Sequence, residues 1–258
     1  MTGRRQMRRE PPLRQNRLQP RGQTSRDTDG LQAFEARWAE FLRFCQDREH
    51  SRYVFRGVAS PSHECKPSIG RIPTYSPESE QQLLELFKRE ARAYVPLPVA
   101  SDWEWLTLAQ HHGVPTRLLD WTRNPLVAAY FAVSSYPDDD AALVYAMPIE
   151  AEDVLAPNDG SNPFSITREV FVLPSALAPR ITTQKGLFSA HPEPTRPWLP
   201  ADLAANTFEI PQPCRSAFRR RLFQLGVDPA LILPNLDGLG QSLRWQYESG
   251  VGLAIVTL

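Results

Sequence analysis

The sequence predicts an α+β fold in which a helical N-terminal half packs on a mostly antiparallel sheet. Apolar residues at helical spacing dominate the chain up to Val133, and short apolar runs bounded by turn residues follow from Ala141 onward. Helices that gather early and strands that gather late do not alternate as a doubly wound parallel sheet requires. A third observation is the stretch 105–133, apolar on both flanks and polar in its middle, around which the other elements are arranged.

Residues 1–26 hold eight arginines against one acid, Glu10, with almost no apolar residues, so this arm is expected to be disordered. Asp27 or Asp29 then caps a helix with Leu31, Phe34, Trp38, Phe41, Leu42 and Cys45 on one face. Residues 53–57 read as a short strand ending in Arg56 and Gly57, and 58–77, rich in Pro, Ser and Gly, as a loop. Ser76 and Pro77 start a second helix over 78–94, apolar at Leu83, Leu84, Leu86, Phe87, Ala91 and Tyr94, which Pro96 and Pro98 end.

In the central stretch, Ser101 and Glu104 make a capping box for a third helix. Trp105, Leu108, Ala109 and His112 share one side of it, and Gly113 and Pro115 stop it. Residues 116–123 form a polar connection. Asn124 and Pro125 then open a helix that is apolar almost all round, with Leu126, Val127, Ala129, Tyr130 and Val133, the pattern of a buried element.

The C-terminal half reads as strands over 141–147, 169–173, 181–190 and 207–210, separated by proline-heavy loops such as 192–200. A helix over 216–225 presents Arg219, Arg220 and Arg221 as a basic face. Another over 236–247 carries Asn235 and Asp237 near its positive end, and a terminal strand follows over 253–258.

A chain of 258 residues, 41% hydrophobic, can build a real core, and one domain over 27–258 is expected after the arm. No run approaches the roughly 20 apolar residues that cross a bilayer, and no apolar signal-peptide core begins the chain, so a cytoplasmic protein without a membrane partner is expected. Cys45, Cys65 and Cys214 are odd in number and far apart, which argues against a disulfide framework and a thiolate cage. The histidines show no ligand spacing, so no metal is expected. Net charge is zero, with +7 in the arm balanced by −7 in the rest. Such an arm attracts nucleic acid or another polyanion without sequence preference, or serves only as a soluble leader.

No GxxxxGK[ST] loop, no GxGxxG after a strand and no GxSxG elbow is present, which sets aside P-loop hydrolysis, Rossmann hydride chemistry and nucleophile-elbow hydrolysis. What remains is a set of arginines and polar groups: Arg56, His112, Thr116, Arg117, Asp120, Thr122 and Gln184. Guanidinium groups suit diphosphates because they bind two oxygens at once. His and Thr suit ribose hydroxyls, and Trp121 or Phe188 offers a face for a flat ring. Two readings stay open for 116–123. Either Arg117 and Asp120 form an ion pair that locks a tight connection while Trp121 fills a core edge, or the segment floors a cleft for an anionic ligand. Arg56 likewise either enters that cleft, with Gly57 allowing close approach, or ends a strand in solvent.

Phe55-Arg56-Gly57 and the block from Trp105 to Ala132 resemble the FRG domain, a bacterial family named for its phenylalanine-arginine-glycine motif. The block runs through His111-His112-Gly113, then Pro115-Thr116-Arg117-Leu118-Leu119-Asp120-Trp121-Thr122, then Pro125-Leu126-Val127-Ala128 and Tyr130-Phe131-Ala132. Weaker blocks follow at Gln184, Gly186, Phe188 and His191, and from Leu225-Gly226 to Leu239, so that the resemblance spans about 35–245. It implies a strand-to-helix block similar to that of ADP-ribosyltransferases, an ADP-ribosyltransferase-like fold, NAD as the substrate held in a cleft, and a toxin or phage-defence role. Under that analogy Arg56, Asp120 and Gln184 form the catalytic set, and Arg56, Gly57, His112, Thr116, Arg117, Trp121, Thr122 and Phe188 bind NAD. Gln184 stands where a transferase keeps a glutamate, and it brings hydrogen bonds without the charge that stabilises an oxocarbenium-like transition state. Asp120 is the better-placed carboxylate, with Glu169, Glu193 and Glu209 as unranked substitutes. A non-catalytic nucleotide or nucleic-acid binding module, or a protein-interaction domain, is the alternative. The oligomeric state is not legible.

Overall fold

The computed structural model describes residues 25–49, 51–95, 99–135, 139–155, 160–173 and 186–252. In chain order these form α1 (Ser25–Gln46), β1 (Tyr53–Val58), α2 (Pro77–Ala91), α3 (Asp102–His111), β2 (Leu118–Thr122), α4 (Pro125–Ser134) and β3 (Ala142–Pro148). Then come β4 (Val170–Val172), β5 (Gly186–Ala190), β6 (Thr207–Ile210), α5 (Arg215–Gln224), the short α6 (Pro229–Ile232) and α7 (Leu236–Ser249). Most of the arginine arm, Gln184 and the expected strand over 253–258 lie outside the described residues. Helix α1 begins inside the arm boundary drawn at residue 26.

The strands make one antiparallel sheet in the order β4-β5-β2-β1-β3-β6, which agrees with the α+β expectation. Two expectations need correction. Residues 118–122 are not a connection but a central strand, because Leu119 and Trp121 alternate with Leu118 and Thr122 and both sets are buried. Helices and strands are also not segregated along the chain. The two central strands come from the N-terminal half, and α5 to α7 follow the last strand.

The sheet has a seam. β1 pairs with β3 from Tyr53↔Pro148 to Val58↔Leu143, and β2 pairs with β5 from Leu118↔Ala190 to Thr122↔Gly186. Between β1 and β2 the register holds a single pair, Phe55↔Thr122. The sheet is therefore two three-stranded halves that meet at one point, and beyond it the strands diverge.

Each half is covered on the same face by its own helices. Phe34, Trp38, Phe41 and Phe44 of α1 pack with Phe218 of α5 and the buried residues of α4 against Phe55, Val144 and Phe208. Leu31 and Leu42, expected on this face, are exposed, because the stripe follows the aromatics. Leu84 of α2 and Trp103, Leu106 and Ala109 of α3 pack on Leu118, Phe188 and Val172. The buried face of α3 is thus rotated from the one expected: Trp105 is only partly buried, and His112, the C-cap before Gly113 (φ +82°), is exposed. The opposite face of the sheet is closed by loop residues, including Cys65 and Trp198 on Trp121, Tyr145 and Phe171.

α4 is buried nearly all round, as its composition predicts, and Asn124 caps it through its Oδ1 and the N–H of Leu126 at 3.0 Å. It lies directly on β1. A Cβ at Gly57 would stand 1.9 Å from the Ala128 carbonyl oxygen and 2.7 Å from the Ala132 nitrogen. Glycine at 57 is therefore a packing requirement, set by helix backbone that cannot yield.

A buried ion pair ties α2 to the start of β2. Glu80 and Arg117 are each about 2% exposed; Arg117 Nε and Nη2 donate to the two carboxylate oxygens at 3.0 and 2.6 Å, and Nη1 to the Pro163 carbonyl at 3.1 Å. The guanidinium also lies over the Phe164 ring. The Arg117–Asp120 ion pair considered from sequence is replaced by this one, because residue 117 turns toward α2.

Two stability predictions follow from these contacts. Gly57→Ala should destabilise by about 3 kcal/mol, the upper end of overpacking costs, read as a lowered urea midpoint. Glu80→Gln should cost roughly 3–5 kcal/mol by leaving Arg117 buried without its countercharge, whereas the Glu80→Leu/Arg117→Met pair should cost clearly less. Equal losses in the single and paired variants would contradict the assignment.

Candidate functional site

The seam opens into a cavity of about 270 Å³ lined by Phe55, Arg56 and Gly57 of β1, Asp120, Trp121 and Thr122 of β2, and Ala128, Phe131 and Ser135 from α4 and its C-cap. Phe55 and Gly57 face α4, so Arg56 between them leaves the sheet on the loop-covered face. Its Nη1 reaches back across the gap and donates to the Asp120 carbonyl at 2.7 Å. A side chain thus bridges strands where the ladder has ended. Arg56 is partly exposed, its buried Nε makes no hydrogen bond, and no carboxylate of a described residue pairs with it. The Asp120 side chain leaves on the helix-covered face, exposed, and Gln110 Nε2 donates to its Oδ2 at 3.2 Å.

The floor behind Arg56 is a buried relay. Trp121 Nε1 donates to Ser189 Oγ at 2.8 Å, and Ser189 Oγ lies 2.8 Å from His191 Nε2. Ser189 is fully buried, so its hydroxyl proton needs an acceptor, which places that proton toward Nε2 and the imidazole proton on Nδ1. Burial first, and then the Arg56 and Arg117 cations, push the His191 pKa down to about 4. Burial likewise raises the Cys65 thiol, with Arg56 beside it pulling the other way.

A second buried arginine holds the α4 wall in place. Arg215, 3% exposed, donates to the carbonyls of Ala59, Asp140, Ala132 and Ser135 at 2.9–3.2 Å. The last two are carbonyls at the C-terminal end of α4, which the helix itself leaves without partners.

Of the residues expected to bind or act, Arg56, Gly57, Asp120, Trp121 and Thr122 line this one cavity. The other described candidates do not. Arg117 is turned to Glu80, and buried Thr116 donates to Gln110 Oε1 at 2.7 Å and accepts from the Leu118 N–H. Phe188 lies in the core under α2 and α3, and His112 is exposed at the end of α3. Trp121 meets Phe171 and Trp198 edge-on in the core, so its indole is not offered as a stacking face. Phe131 and Ser135 were missed. The signal was present, since Ala128, Phe131 and Ser135 stand at i, i+3 and i+7 and mark one face of α4. Among the described residues no cluster of three His, Cys, Asp or Glu can hold a metal ion, and no helix is long and apolar enough to cross a membrane.

The family model described as FRG domain matches residues 51–141. This segment is an FRG domain. The match is narrower than the span of the motifs, yet every described residue lining the cavity lies inside it. The FRG domain thus supplies both strands of the seam and the helix that walls it, while β3 to β6 and α5 outside it complete the sheet and anchor that helix. No curated protein and no solved structure gives a match.

His191 predicts a pH dependence. Its folded pKa is lowered, so the unfolded chain takes up the proton first; stability is whole above the ordinary value of 6.5, falls as pH drops, and is lost near 4. The loss amounts to roughly 3 kcal/mol. Urea denaturation across that window should show it, and His191→Gln should flatten the profile by about that amount.

Proposed function

We propose that the FRG domain binds a nucleotide in the seam cavity, and that the nucleotide is NAD, cleaved between ribose and nicotinamide. The observation that carries this reading is the pairing in one cavity of a guanidinium without a described carboxylate partner, Arg56, with a separate exposed carboxylate, Asp120. An arginine so held is complementary to a phosphate. A carboxylate on the other face of the sheet suits the positive charge that develops on a ribose as its glycosidic bond breaks. In that step the bonding electrons leave with neutral nicotinamide, and water or an acceptor hydroxyl closes the bond to C1′ and gives up its proton. A cavity of about 270 Å³ is at the small end for ligand sites, which fits one half of a dinucleotide with the remainder along the open side. Phe131, half-buried on the α4 wall, offers the aromatic surface that Trp121 does not.

NAD labelled in its nicotinamide ring gives the test. Wild-type protein should release the label, Asp120→Asn should lower the rate by roughly two orders of magnitude, and Arg56→Ala should act mainly through weaker NAD binding. Binding of NAD that requires Arg56 but yields no nicotinamide would leave a binding module without chemistry. Absence of binding would end the proposal. The +7 arm of residues 1–26 favours a second reading, nucleic-acid binding. That reading expects affinity that survives Arg56→Ala, falls steeply with salt and disappears with the arm.

A further inference from the structure

A second cavity, also about 270 Å³, lies between the C-terminal part of α4, the start of α5 and the end of α7. Its lining brings Gln212, Ser216, Arg219 and Arg220 onto one face of the α5 segment, with Trp245 and Ser249 of α7 opposite and Arg215 behind. Among the described residues that line it none is acidic. The first turn of α5 also holds no acid, and its N-cap, Cys214, makes no side-chain cap. The positive end of the helix therefore adds to the arginine charge.

Two contacts fix the arginines in place. Arg219 stacks over the Trp245 ring at 5.0 Å, which engages the flat face of the guanidinium while its N–H groups lie in its plane. Arg220 donates one N–H to the Ser249 carbonyl at 3.1 Å, a bond that fixes the side chain at the rim with most of its donors unused by that contact. Arg221, the third residue of the run, turns away to Glu35 and the α1 aromatics. The expected continuous basic face is thus split, because successive helical residues project in different directions. What remains is a half-open basic hollow.

We propose that this hollow is a binding site for a small phosphate-bearing molecule, its oxyanion held by Arg219, Arg220 and the Ser216 hydroxyl. The site shares no lining residue with the seam cavity. Calorimetric titrations with inorganic phosphate, pyrophosphate and AMP should be run on full-length Arg56→Ala protein, which removes the cation of the first cavity. Saturable binding at millimolar or lower concentration is expected, weakened about tenfold or more by adding either Arg220→Gln or Ser216→Glu. The stronger binder then distinguishes free phosphate from a nucleotide as the source. Arg219→Gln disturbs the stack on Trp245, so the two other variants carry the test, with circular dichroism to confirm the fold. Binding unchanged in both variants, or no binding of any of the three probes, overturns the proposal.

Discussion

The hydrogen bond from Arg56 to the Asp120 carbonyl bridges the two halves of the sheet where their backbones have parted. Strands β1 and β2 share one residue pair, so the gap beyond it exposes polar backbone that a regular ladder would have consumed. One guanidinium satisfies part of that need and is thereby fixed at the mouth of the cavity. The approach of β1 to α4 sets the same geometry from the other side, since only a residue without a side chain fits at 57. Phe55, Arg56 and Gly57 therefore act as a unit: one residue for the core, one for the seam, one for the helix.

Three arginines meet this part of the fold in different electrostatic surroundings. Arg117 is neutralised by a carboxylate with excellent geometry, and Arg215 by four carbonyl dipoles, two of them at a helix C-terminus. Both are buried, where an uncompensated charge would be prohibitive. Arg56 is the partly exposed one, with an Nη bonded to the Asp120 carbonyl and the Cys65 thiol beside it. The walls around it are held by other contacts: Arg117 ties the start of β2 to α2, and Arg215 holds the C-terminal end of α4.

How much of this was legible varied by element. α4 was readable in full, because a helix apolar on every side with Asn-Pro at its start has few other interpretations. β2 was not. Its run Leu118 to Thr122 alternates correctly, but Asp120, Arg117 and Thr116 make the segment look like a polar link, and only pairing with β5 on one side turns it into a central strand. Glu80 drew no notice in the sequence, since nothing local reveals that an arginine 37 positions later arrives beside it. Arg215 was passed over for the same reason.

The chain's local chemistry was enough to settle where the long helices lie, which glycines stop them and that the fold is α+β. Those properties depend on spacing, caps and short-range sterics, which operate within a few residues. Which arginine is buried, which carboxylate it meets, and which face of α3 turns inward depended on long-range packing. Partners there lie tens of residues apart, and the cost of burying a charge is decided by whatever the folded sheet brings next to it.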